Sequence, residues 1–85
     1  MTTYPNPALA SDNITIQYGV ESSVEKVEIN IIDMNGRLIF TAEEGSKTSG
    51  LYNLNVPAGT LSVGSYIYSI EADGARMAKR MEILK

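Results

Sequence analysis

The sequence predicts an all-β fold, an immunoglobulin-like antiparallel β-sandwich of about six to seven strands. Two observations carry this prediction. Apolar residues recur at every second position in short runs, the period of strands with one buried face, and no stretch shows a helical period. Between the runs stand turn signals, above all Asn35-Gly36 and Asp73-Gly74, dipeptides that suit the positive φ angles of a two-residue hairpin loop. Short strands punctuated in this way build sandwiches, because each strand has one face to bury.

Tyr4-Pro5-Asn6-Pro7 opens the chain with too many prolines for a helix or a central strand, and residues 1–12 read as an extended lead-in to a domain of residues 13–85. Ile14, Ile16 and Tyr18 alternate with Thr15 and Gln17 in a first strand. Val27, Ile29 and Ile31 do the same before Asn35-Gly36, and Leu38, Phe40 and Ala42 after it. A two-residue type I′ loop there sets Asp33 against Leu38, Ile32 against Ile39, Ile31 against Phe40 and Ile29 against Ala42, with the apolar side chains on one face. Residues 43–50 read as a long polar connection between sheets. Tyr52, Leu54 and Val56 form a strand that Pro57 ends, and Leu61 tucks under the domain from the next connection.

Tyr66, Tyr68 and Ile70 share a face of the next strand. Asp73-Gly74 then sets Ala72 against Ala75, Glu71 against Arg76, Ile70 against Met77 and Tyr66 against Met81. Met77, Met81 and Ile83 continue the apolar face, and Lys79, opposite Tyr68, interrupts it. A bulge near Lys79, or a lysine stem lying along Tyr68, reconciles the two. An isolated hairpin is marginal, so the two hairpins are expected to face each other across a core of Ile14, Ile16, Val27, Ile29, Ile31, Leu38, Phe40, Leu54, Tyr66, Ile70 and Met81. No internal repeat stands out.

Eighty-five residues make one small domain, and 44% apolar composition is enough for a shallow core. Cysteine and histidine are absent, which removes disulfides, thiolate or imidazole metal sites, and Ser-His or Cys-His catalysis. The net charge of -3 disfavours nucleic acid as a partner. No apolar run approaches the roughly 20 residues of a membrane-spanning helix, and Met1-Thr2-Thr3 does not open a signal peptide. The carboxylates are scattered, with no pair placed for acid–base work. Asp33-Met34-Asn35-Gly36 is faintly like the start of a calcium loop, but its glycine is fourth where such a loop needs it sixth. Tyr52, Tyr66 and Tyr68 suit core and rim positions better than a binding platform. The expectation is therefore no enzyme, no metal and no cofactor.

Four segments, in order, resemble the type A C-terminal sorting domain of the type IX secretion system of Bacteroidetes-type bacteria. Tyr4-Pro5-Asn6-Pro7-Ala8 is similar to its entry motif, and Asp33-Met34-Asn35-Gly36-Arg37-Leu38 to its Asp-x-x-Gly-Arg hairpin. Leu61-Ser62-Val63-Gly64-Ser65-Tyr66 is similar to its Leu-x-x-Gly-x-Tyr segment, and Lys79-Arg80-Met81-Glu82-Ile83-Leu84-Lys85 to its basic, apolar-alternating tail. The family's tail more often has Lys where Arg80 stands, and its run after that position is less polar. The resemblance implies a domain at the C-terminus of a secreted cargo, which passes from the periplasm across the outer membrane to the cell surface or medium. It also implies a translocon and a surface sortase as partners, the sortase then removing the domain. On this reading Pro5, Asn6, Pro7, Asp33, Asn35, Gly36, Arg37, Leu61, Gly64 and Tyr66 are structural, and Lys79, Arg80, Met81, Ile83 and Lys85 are the recognition residues. A terminal edge strand also admits an edge-to-edge dimer. The rival readings are a structural spacer beside an extracellular enzyme and a carbohydrate-binding sandwich.

Overall fold

The computed structural model describes all residues from Met1 to Lys85. It contains no helix; eight strands form two sheets packed as a sandwich. In chain order they are β1 (Thr2–Tyr4), β2 (Ala8–Leu9), β3 (Ile14–Val20), β4 (Val24–Asp33), β5 (Leu38–Lys47), β6 (Gly50–Val56), β7 (Gly64–Ala72) and β8 (Ala75–Leu84). The smaller sheet has the order β1-β3-β6 and the larger β2-β8-β7-β4-β5.

The expected hairpins form, but they do not face each other across the core. β4 pairs antiparallel with β7 from Val27↔Ala72 to Asp33↔Tyr66, so both hairpins lie side by side in the larger sheet. The opposing layer comes from β3, β6 and β1. Each hairpin thus buries one face on a separate layer, which serves the same physical need. The connection expected over residues 43–50 shrinks to Thr48-Ser49, because β5 continues to Lys47 before the chain crosses between sheets.

The first hairpin reaches its register by a different route from a type I′ turn. The Gly36 N–H donates to the Asp33 carbonyl at 3.0 Å and the Asp33 N–H donates to the Arg37 carbonyl at 3.0 Å. Gly36 alone takes positive φ, +83°, and Asn35 does not. This is a three-residue loop of a type I turn followed by a left-handed glycine. The longer loop pairs Ile32 with Leu38, one residue out of the expected register; a bulge at Ile39 then restores Ile31↔Phe40 and Ile29↔Ala42. The slip leaves Leu38 on the outer face, 54% exposed, whereas a core position was expected. Phe40 and Leu54 are partly buried and pack against the core.

The core holds the expected Ile14, Ile16, Val27, Ile29, Ile31, Tyr66, Ile70 and Met81, and adds Ala8, Tyr18, Val20, Val56, Leu61, Tyr68 and Ile83. The second hairpin has the expected register throughout, with Asp73 (φ 48°) and Gly74 (φ 89°) both left-handed, as a type I′ turn demands. The pairing from Gly64↔Ile83 to Ala72↔Ala75 is unbroken, so no bulge forms at Lys79.

One repeat escaped the sequence reading. Thr48-Ser49-Gly50-Leu51-Tyr52 and Ser62-Val63-Gly64-Ser65-Tyr66 fold alike. In each, the tyrosine Oη donates to the backbone carbonyl four residues earlier, at 2.6 Å to Thr48 and 2.8 Å to Ser62. Each also meets that residue's hydroxyl, at 3.3 and 3.2 Å. The glycine between them is held at φ 152° or 154°, and a Cβ there would sit 3.8 Å from the same tyrosine ring. Each tyrosine thus pins the loop that leads into its own strand, β6 or β7.

Candidate recognition surface

β8 places the basic tail. A two-residue loop makes its flanking pair, Ala72 and Ala75, a hydrogen-bonded one, and bonding alternates from there. Odd-numbered residues of β8 therefore bond to β7, while Arg76, Ala78, Arg80, Glu82 and Leu84 turn their backbone N–H and C=O to the other side. The Ala10 N–H bond to the Leu84 carbonyl, 2.9 Å, fits this parity.

Side chains follow a second alternation, across the sheet. Met81 and Ile83 point into the core and are 2% and 1% exposed. Met77 and Lys79 lie on the same face but are exposed, Met77 at 52%, so that end of β8 is left uncovered. Arg76 and Arg80 project from the outer face. Arg80 is held in place, its Nε donating to Glu82 Oε1 at 2.8 Å and its Nη2 to Ser65 Oγ at 3.2 Å. Ser65 Oγ donates to Glu82 Oε2 at 2.6 Å, and these two partners hold the Glu82 carboxyl below the usual carboxylate range. Arg76, though opposite Glu71 as expected, makes no ion pair with it; Arg80–Glu82 is the one salt bridge.

Of the residues proposed from sequence as recognised, the structure therefore keeps Lys79, Arg80 and Lys85 at the surface and puts Met81 and Ile83 in the core. Arg76 and Ala78 share the exposed edge with Lys79 and Arg80, which the sequence reading missed. The hairpin register of Asp73-Gly74, carried along the strand in steps of two, is the signal that finds them.

The other family-like segments are devices of the fold. β1 joins the smaller sheet through Thr3↔Ile16 and β2 joins the larger through Ala8↔Ile83, so Pro5-Asn6-Pro7 is the crossing between sheets. Asp33 Oδ1 accepts from the N–H groups of Asn35 and Arg37, both at 2.9 Å, which accounts for the aspartate and glycine of the first hairpin. Leu61 is buried and Gly64 takes φ 154°, a backbone conformation that favours glycine, two residues before Tyr66. Asp73 ties the second hairpin to β4: its carboxylate accepts from the N–H groups of Glu25 and Lys26 at 3.0–3.1 Å.

Tyr66 and Tyr68 are 5% and 2% exposed and offer no platform to a sugar. Tyr18 and Tyr52 stack at 5.6 Å with Lys47 Nζ over the Tyr52 ring, and the Tyr18 Oη donates to Glu44 at 2.9 Å. Burial, and then this bond to a carboxylate, push the Tyr18 hydroxyl well above the usual tyrosine range. Two surface hollows lie around Glu28 and Glu71 and are lined mainly by charged and polar side chains. No group of three or more acidic side chains is placed to hold a metal ion.

A family model described as the secretion system C-terminal sorting domain matches residues 2–84. No curated protein matches the chain.

Proposed function

The chain belongs to the C-terminal sorting domains of the type IX secretion system, and from that membership we propose that it works without catalysis, as a folded handle read by a protein partner. A domain of this family is a secretion signal: it implies a cargo fused ahead of it and a type IX machinery that exports the cargo across the outer membrane to the surface or medium. The match over residues 2–84 carries the reading. The scattered carboxylates and the absence of histidine and cysteine agree with a role that needs no chemistry.

The finer assignments belong to the same proposal. Residues 1–12 are a lead-in whose two strands clasp the sheets, and residues 13–85 are the body. The cargo crosses the periplasm, an outer-membrane translocon binds the basic tail around Lys79, Arg80 and Lys85, and a surface sortase then removes the domain. An edge-strand dimer is a further state of the same surface.

The test is a secretion assay. A reporter with a periplasmic signal peptide is fused ahead of residues 1–85 and expressed in a type IX host. Reporter at the surface or in the medium, lost when the translocon is deleted, is the expected result. Reporter retained in the periplasm behind a folded domain would return the chain to the spacer reading.

A further inference from the structure

We propose that the open edge of β8, from Ala75 to Arg80, is a docking site for an extended acidic segment of the export machinery, added to the larger sheet as a further strand in line with β2. The proposal rests on the sorting function and names the part of the tail that is read.

Four features of the edge lead there. First, the edge is open. β2 covers it only at Ile83 and Leu84, because Pro7 has no N–H to continue the pairing and the chain turns away to β1. Ala75 to Arg80 are all exposed, and the outward N–H and C=O groups of Arg76, Ala78 and Arg80 are left for a partner. Second, it is regular. β5, at the opposite edge of the same sheet, is interrupted by two extra residues, Ile39 and Glu44, a form of protection against pairing, whereas the β7–β8 register has no shift. β6 is also regular and open, but it carries no charged residue and so specifies no partner.

Third, charge concentrates here. Arg76, Lys79 and Arg80 are three of the seven basic residues, with Glu71 across from Arg76 and Glu82 paired to Arg80, in a chain whose net charge is -3. The rest of the domain is strongly acidic, so a carboxylate-bearing strand meets attraction at β8 and repulsion elsewhere. Fourth, the faces are distinct. Arg76 and Arg80 lie on the outer face, while Met77 lies on the inner one beside the core, half-exposed. The matching segment therefore carries carboxylates on one face and an apolar residue to cover Met77 on the other, a strand-addition mode in which backbone bonds give affinity and alternate side chains give selectivity.

Two variants test the edge in the reporter fusion of residues 1–85. Ala78→Pro removes an outward N–H but no bond to β7, a position where an edge strand tolerates proline. The double variant Arg76→Glu, Lys79→Glu reverses the charge and leaves the backbone intact. Each is expected to lower export at least tenfold, with the purified double variant still folded and its thermal midpoint lowered by no more than a few degrees by the like charge it sets opposite Glu71. A second readout uses a synthetic peptide of alternating glutamate and valine as probe. Binding should slow amide exchange at Arg76, Ala78 and Arg80, and should weaken with salt.

Wild-type export that depends on the translocon, together with normal export of both variants, would overturn the docking site and leave the sorting function standing. No export of the wild type would overturn both. If Ala78→Pro unfolds the domain, the charge-reversal variant decides alone: normal export overturns the site, and a loss with the fold intact supports it.

Discussion

Asp33 shows how one carboxylate organises a turn. It accepts two backbone N–H groups at 2.9 Å while Gly36 takes φ +83° beside it. Asp33→Ala is expected to cost about 1–2 kcal/mol, a lower value than for a buried charged bond because the turn is exposed. Gly36→Ala places a side chain in a left-handed conformation at about 1 kcal/mol. Urea unfolding of both variants checks these figures. Tyr66→Phe removes the buried bond to the Ser62 carbonyl and is expected to cost about 1 kcal/mol, more than Tyr52→Phe at the exposed twin site. Two ionisable groups contribute to the pH dependence of stability. The folded Glu82 carboxyl lies below its unfolded value, so its contribution is present above about pH 4.3 and fades as pH falls through the folded value. Glu82→Gln should flatten that part of an acid titration of the thermal midpoint. The Tyr18 hydroxyl is raised, so its contribution is present below about pH 10 and fades as pH rises through the folded value. Tyr18→Phe should remove that alkaline loss.

The second hairpin obeyed its dipeptide at every pair, and the first did not. Asp73-Gly74 supplies positive φ at both loop positions, with no competing bond partner inside the loop. At Asn35-Gly36 the Asp33 carboxylate takes the N–H groups of Asn35 and Arg37, and this favours the longer type I loop. The extra residue in the loop and the bulge at Ile39 offset each other and return β5 to register, at the cost of putting Leu38 outside. Asp73 also clamps β4, so Asp73→Asn should lower the thermal midpoint by a few degrees even though Asn tolerates the same φ. At β8 the alternation of apolar residues was legible, and with it the burial of Met81 and Ile83. Which half of the strand is free was not, because that depends on where β2 stops.

Two layers hold the molecule together, and the smaller one covers only part of the larger. Ile29→Ala, at 0% exposure in the middle of the larger sheet, is expected to cost about 2–5 kcal/mol, enough to unfold much of a domain this small. Calorimetry or urea unfolding checks it. Strand alternation, both hairpins and the buried Leu61 were legible in sequence alone because each rests on residues close together in the chain, and the family because each of its four segments does. Only the tertiary structure decided that the hairpins share one sheet, that residues 1–12 supply a strand to each layer, and that Ala75 to Arg80 form an open basic edge. Those features depend on pairings between distant segments, and neither β4 against β7 nor β2 against β8 is announced by a turn. Period and turn chemistry act over a few residues; the choice of neighbour is made by how the apolar faces stack once the whole chain collapses.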